Sequence, residues 1–172
     1  MTATNDFIAA NKRYAEDFSK GGQPIPPAKK VAIVACMDAR IETGRLLGLE
    51  EGDAHVIRNA GGVVTDDVIR SLAISQRLLG TTEIVLVHHT DCGMLTFKDD
   101  DVKAQIETET GVRPSFALEA FPDLEEDVRQ SIRRIEASPF VPNKDKIRGF
   151  VYDVETGRLN EVAAEERLLQ AS

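Results

Sequence analysis

Two fragments of this chain carry the residue types that do chemistry: Cys36-Met-Asp38-Ala-Arg40 and His89-Thr-Asp-Cys92. Each sits where an apolar, β-branched run ends. They also hold the only two cysteines of the chain. Two thiols, an imidazole and a carboxylate form a zinc-binding set. The step His-x-x-Cys lets one turn present both side chains to one ion. Cys36, His89 and Cys92 then supply three ligands, and a fourth position is left for water or for Asp38. Three protein ligands plus a water is the pattern of a catalytic zinc. Zinc lowers the pKa of bound water to about 7 in favourable sites. Two thiolates already cancel the charge of the metal, so acidification is expected to be weaker here, with activity rising toward alkaline pH. Cys92 and Gly93 are expected to open a helical turn whose positive end favours a thiolate.

Asp38 and Arg40 are two apart, which would place them on one side of an extended segment. Arg40 can hold the Asp38 carboxylate in a bidentate pair, away from the metal. Asp38 then orients the zinc-bound water, or closes the site as fourth ligand when the pair breaks. Rising pH should favour the open form, because hydroxide binding releases a proton and carboxylate binding does not. The plain alternative for two lone cysteines is that they are small buried hydrophobes. Two such residues together with His89 at the right spacing weigh against it. Only His89 gives the three-residue step to Cys92. Alternation points His88 to the opposite face of the sheet, so His88 and His55 read as structural. Arg58-Asn-Ala-Gly-Gly62 reads as a turn bringing backbone N–H groups and Arg58 near the crevice or a subunit contact. It is no dinucleotide fingerprint, and no GxxxxGK[ST] occurs. Thr96, Phe97 and the run Lys98–Asp101 read as solvated surface.

The elements that must position these residues follow from pattern. Phe7, Asn11, Tyr14 and Phe18 lie at helical spacing, so about residues 5–19 read as a helix. Gly21-Gly22-Gln-Pro24-Ile-Pro26-Pro27 is a stiff, non-helical linker. The helix packs either on its own core or on a second subunit. Val31–Ala35, Ala54–Arg58, Glu83–His88, Ile147–Val154 and a short Leu159–Val162 read as strands. Helices are expected at Ile41–Leu49, from Thr65 to a stop at Gly80, at Asp99–Thr110, from Pro122-Asp123 onward, and at Ala163–Gln170. In the second of these, Ile69, Leu72, Ala73, Gln76 and Leu79 form the expected inner face. Alternating strands and helices imply a single α/β domain with a mostly parallel sheet. The expected order is 2-1-3-4 with a short edge strand, flanked by helices, plus the N-terminal helical arm. The arm spans 1–28 and the zinc-binding domain 29–172. In such sheets ligands sit beyond the carboxyl ends of the strands, where strand order reverses. That reversal falls between the first and third strands and puts both fragments in one crevice.

At 172 residues the chain can bury a core without disulfides. Its 29 acidic against 21 basic residues give a formal charge of −8, which argues against a nucleic-acid or anionic-membrane partner. No run is long and apolar enough to span a bilayer. The first residues lack the pattern of a secretory signal, so a cytoplasmic protein is expected. Cysteines there serve as ligands or catalysts more often than as disulfides.

Cys-x-Asp-x-Arg followed by a strand-ending His-x-x-Cys resembles the β-class carbonic anhydrases, in particular the short actinobacterial-type members. The resemblance runs from about Val31 to Met94 and includes the Arg-Asn-Ala-Gly stretch and the helix beginning Asp66-Asp67-Val-Ile-Arg-Ser-Leu. It implies that Cys36, His89 and Cys92 bind Zn2+ and that Asp38 and Arg40 form the catalytic dyad. It implies reversible hydration of CO2 to bicarbonate by zinc-bound hydroxide. It also implies a homodimer or a dimer of dimers, with the N-terminal helix reaching over the partner. The chain has no Trp, so the tryptophan-containing bicarbonate pocket of some members does not transfer intact. The alternatives are a carbonyl sulfide or carbon disulfide hydrolase on the same zinc site, and a non-catalytic zinc-stabilised binding module with a closed four-ligand site.

Overall fold

The computed structural model describes residues 2–163. Five strands form one sheet: β1 (Val31–Cys36), β2 (Ala54–Asn59), β3 (Glu83–His89), β4 (Ile147–Tyr152) and β5 (Leu159–Val162). Their order is β2-β1-β3-β4-β5. The pairings β1–β2, β1–β3 and β3–β4 are parallel, and β4–β5 is antiparallel. The expected order and the short edge strand are both present. Every residue of β1 is buried, because the strand lies mid-sheet with cover on both faces.

Among the described residues five α-helices accompany the sheet: α1 (Ala3–Glu16), α2 (Thr43–Leu47), α3 (Asp66–Arg77), α4 (Asp99–Thr110) and α5 (Leu124–Ala137). On one face Val68 and Leu72 of α3 and Val128, Ile132 and Ile135 of α5 pack on Ala32, Val34, Ile84 and Leu86. On the other, Leu46, Leu47 and Leu49 cover Val31, Ile33 and Ala35. Gly149 lets α5 lie close on β4, since a Cβ there would run into Val128 and Ile132. The caps match the residue types. Thr65 accepts from the Val68 N–H and Asp123 from the Glu126 N–H, each at the start of its helix.

Several bounds differ from expectation. α1 begins at Ala3 and ends at Glu16, short of residue 19. α2 covers only Thr43–Leu47, because Glu42 caps its start and Gly48 ends it in the left-handed region. β4 stops at Tyr152, where Asp153 opens a turn closed by the Gly157 N–H to its carbonyl. The buried residues of α3 are Val68, Leu72, Ser75 and Gln76, so Val68 and Ser75 are buried while the expected Ile69, Ala73 and Leu79 are only half-buried. Ser75 and Gln76 tolerate burial because both are bonded. Ser75 pairs with Thr81 and His55, and Gln76 with both main-chain groups of Asn143. The expected helix at Ala163–Gln170 lies, beyond Ala163 itself, outside the described residues.

α1 buries none of its residues. Phe7, Ile8 and Tyr14 on the helix and Phe18 just beyond it are exposed. Polar contacts tie the helix and the segment after it to the rest of the chain: Tyr14 donates to Glu51, and Lys20, beyond the helix, pairs with Glu50 and Glu51.

Candidate metal centre

β1 and β3 run side by side in register, Ala35 against Val87, so their carboxyl ends emerge at one edge of the sheet. Chain order departs from β1 to β2 on one side and to β3 on the other. This is the point of reversal where such sheets build sites. Cys36 closes β1, His89 closes β3, and Cys92 precedes a single 3-10 turn, Gly93–Leu95. Their ligand atoms all lie within 4.8 Å of one another, and all three residues are buried.

The protonation of His89 follows from its neighbours. Its Nδ1 is 2.8 Å from the Thr90 carbonyl, which can only accept, so Nδ1 is the donor. Nε2 is left facing the sulfurs, buried and without a hydrogen-bond partner. A buried ring nitrogen left open beside two buried sulfurs fits a metal ligand held in its tautomer by an outer hydrogen bond. Two sulfurs and one imidazole suit zinc. Ile41, Val63, Met94 and Phe121 pack around the two cysteines and keep bulk water away.

The two thiols share their protons unequally. The Cys36 thiol is drawn down to about 4, first by its interaction with Cys92, and further by His89 and by the N–H groups of Asp38 and Gly61. Cys92 is pushed up, first by Cys36 and then by burial. The two sulfurs thus hold one proton between them, with Cys36 the lowered partner and Cys92 the raised one. A 3-10 turn of three residues has little dipole to offer against a neighbouring negative sulfur. Burial lowers the His89 imidazole, but the Cys36 sulfur and the Thr90 carbonyl outweigh it, and the net shift is upward.

Asp38 is held on both oxygens by Arg40. Nε donates to Oδ1 at 3.0 Å and Nη2 to Oδ2 at 2.8 Å. The segment is a turn rather than extended: the Ile41 N–H reaches the Asp38 carbonyl and the Arg40 N–H reaches Asp38 Oδ1. An aspartate that accepts from the backbone two residues on makes this turn locally. The Arg40 side chain, then its N–H, hold the Asp38 carboxyl well below the usual carboxylate range. Oδ2 nevertheless lies only 3.7 Å from His89 Nε2.

Arg58 lies at this edge and serves the β1 loop. Its Nε and Nη2 donate to the Cys36 carbonyl at 3.0 and 2.9 Å, and Nη2 to the Asp38 carbonyl at 2.7 Å. The expected turn after it is a 3-10 turn, Ala60–Gly62. Gly62, at φ 71°, lies so close to β1 and β3 that a Cβ would stand 2.8 Å from Cys36 N and 3.1 Å from Val87 O. His88 is structural as expected: its Nε2 is 2.7 Å from Asp127 Oδ2, and the buried pair ties β3 to α5. His55 bonds Ser75, away from the cluster.

Part of the presumed solvated run is not surface. Phe97 packs against the apolar cluster around the cysteines. Asp99 accepts from the N–H groups of Leu118, Glu119 and Ala120. One contact at the site was not foreseen. Arg40 also donates through Nη1 to Asp91 Oδ2 at 2.7 Å and through Nη2 to the Asp91 carbonyl at 3.0 Å. The available signal was an Asp between the two ligands, a residue type that accepts left-handed backbone.

Fold and site together define a zinc-site protein on a parallel α/β sheet. The profile of the carbonic anhydrase family matches residues 31–159. Beta-carbonic anhydrase 1 of Mycobacterium tuberculosis is 66% identical over 162 residues, covering 94% of this chain and 99% of that protein. The crystal structure of carbonic anhydrase from Streptococcus mutans superposes with a TM-score of 0.89 at 46% identity, covering 95% of this chain and 99% of that one. A more distant relative, carbon disulfide hydrolase of Acidianus, is 31% identical over 183 residues, covering 91% of this chain and 89% of that protein. The chain belongs to the β-class carbonic anhydrase family.

Proposed function

We propose that this chain catalyses the reversible hydration of CO2 to bicarbonate and a proton, with zinc held by Cys36, His89 and Cys92. The observation that carries this reading is the geometry of Asp38. Its carboxylate stands 3.7 Å from the ligand nitrogen of His89, yet Arg40 holds both of its oxygens. The cluster therefore has three donors, with the nearest fourth donor restrained. That arrangement suits catalysis better than a closed structural site. The relative of 66% identity named as a β-carbonic anhydrase supports it.

Bound zinc supplies a Lewis acid that lowers the pKa of a coordinated water. The protein's residues do the rest. Asp38, kept ionised by Arg40, accepts a hydrogen bond from the reacting water and orients it toward the carbon of CO2. By holding both oxygens, Arg40 would keep that carboxylate away from a metal held by Cys36, His89 and Cys92. The apolar side chains of Ile41, Val63, Met94 and Phe121 pack around the two cysteines and exclude bulk water from them. One water and one CO2 give bicarbonate, and the proton released passes to buffer.

A second substrate class is favoured by one observation. Relatives at 31–33% identity are named carbon disulfide hydrolases. Stopped-flow CO2 hydration on zinc-loaded protein, at neutral and alkaline pH, tests the main reading. Fast turnover rising with pH is expected, and Asp38→Ala should keep zinc while lowering kcat about 100-fold. Negligible CO2 turnover with release of sulfide from carbon disulfide would replace the main reading with the second.

The same reading makes residues 1–28 an arm on a 29–172 core. The exposed Phe7, Ile8, Tyr14 and Phe18 then pack on a second copy, giving a homodimer or a dimer of dimers. Light scattering on the full chain and on a chain lacking residues 1–28 tests it: loss of the arm should lower the mass. No helix among the described residues is long and apolar enough to cross a membrane. The proposed compartment is the cytoplasm.

A further inference from the structure

We propose that Asp91 is a positioning residue: it anchors Arg40 and thereby keeps Asp38 away from the metal position, a role that rests on the Asp38–Arg40 dyad proposed above. The Arg40 guanidinium has two hydrogen-bonding edges. The Nε–Nη2 edge grips both oxygens of Asp38. Nη1 and Nη2 meet the side chain and the main-chain carbonyl of Asp91 at 2.7 and 3.0 Å. With both edges filled, a planar cation has one orientation. Asp91 lies between His89 and Cys92, so Arg40 ties the segment bearing one ligand to the segment bearing the other two, across 51 residues of chain.

The backbone of Asp91 makes this possible. Its φ of 54° is in the left-handed region, where a side-chain oxygen and its own carbonyl can face one guanidinium. Asp and Asn are the non-glycine residues that accept this region most readily.

Asp38 Oδ2 is 3.7 Å from His89 Nε2, so a small rotation carries it into the ligand cluster. The grip of Arg40 opposes that rotation. Arg40 is a long side chain, 46% exposed, and holds its place only through its partners. Two effects of Asp91 compete. As a second carboxylate it draws the same cation away from Asp38; as an anchor it fixes the cation in the gripping pose. The Asp91 side chain is 79% exposed, so water and salt screen its charge, whereas its geometric hold is unaffected. The anchoring effect dominates, and removing Asp91 should let Asp38 turn toward the metal. Asp91 faces an open cavity of about 550 Å3, also lined by Thr90, Asp153 and Glu155, so substitutions there leave no hole in the core.

The test uses zinc-loaded, full-length Asp91→Gly, Asp91→Asn and Arg40→Ala beside the parent. Zinc X-ray absorption counts protein ligands, and stopped-flow hydration separates kcat from KM. Asp91→Gly keeps the left-handed backbone and the carbonyl but loses the carboxylate. It should raise the share of sites with a fourth protein ligand and lower kcat about fivefold at unchanged KM. Asp91→Asn retains one acceptor oxygen and should fall between. Arg40→Ala should shift coordination further. If Arg40→Ala shifts coordination and kcat but Asp91→Gly matches the parent, Asp91 is not the anchor and the dyad stands. If Asp91→Gly turns over faster than the parent, charge competition wins and the proposal is overturned. If Arg40→Ala changes neither readout, the dyad itself fails, and the role of Asp91 with it.

Discussion

Gly62→Ala should be among the most damaging single-methyl additions in this fold, and the structure says why. Two costs add. At φ 71° an alanine sits in the left-handed region, which costs about 1–2 kcal/mol. Its Cβ would also stand 2.8 Å from Cys36 N, 3.0 Å from Ala35 C and 3.1 Å from Val87 O. All three are backbone atoms of the two central strands, so no side chain can swing aside, and overpacking adds about 1–3 kcal/mol. The sum, about 2–5 kcal/mol, corresponds to a fall of roughly 5–15 °C in Tm for a chain of this size. Gly80→Ala is the control: Gly80 has φ 73° but nothing within 4 Å of its added Cβ, so it carries the first cost alone. Thermal denaturation of both variants, with zinc and after chelation, separates the two terms. Because the strain falls on Cys36, zinc affinity should drop about tenfold in Gly62→Ala and remain unchanged in Gly80→Ala. Equal melting points for the two variants would refute the close-approach argument.

Cys36→Ser, His89→Ala and Cys92→Ser should each lose zinc and activity together; full zinc content in all three, by plasma emission, would remove the ligand assignment. Zinc uptake near neutral pH should release about one proton from the sulfur pair rather than two, because Cys36 is drawn down to about 4 while Cys92 is pushed up. Calorimetry in buffers of different ionisation enthalpy counts these protons, with any excess up to one assigned to His89. The same shifts give a sign for the zinc-free protein. Its stability should rise with pH between about 4 and the ordinary thiol value of 9.0 as Cys36 ionises ahead of the unfolded chain, then fall above 9.0 as Cys92 resists ionisation. Urea midpoints across this range check it, and a monotonic profile would contradict the split. Asp99→Ala should cost about 2–3 kcal/mol and speed proteolytic cleavage near Glu119, since three main-chain N–H groups lose one acceptor.

The strand order was legible because β-branched runs alternated with helical patterns and parallel crossovers allow few topologies. The meeting of Cys36, His89 and Cys92 in one cluster was legible because soft donors at a three-residue step beside strand ends have few other uses. What escaped was tertiary. Phe97 and Asp99 sit in a polar run, and only the fold shows one filling the apolar cluster and the other capping a distant loop. Asp38 and Arg40 were paired correctly from their spacing, but their turn depends on hydrogen bonds that spacing does not encode. The inner face of α3 was misread at Ser75, because a hydroxyl becomes a core residue only where Thr81 and His55 await it.

The placement of the cluster across β1 and β3 also sets a clock. Cys36 emerges from the ribosome more than fifty residues before His89 and Cys92. Until then a nascent chain has one sulfur to offer, and the loop between must close before the three donors meet. The adjacent strands β1 and β3 are not consecutive in the chain, so their pairing waits for the intervening β2–α3 segment to fold back. Metal capture at full affinity is thus a late event in biogenesis, and zinc acquisition reports that the central sheet has assembled.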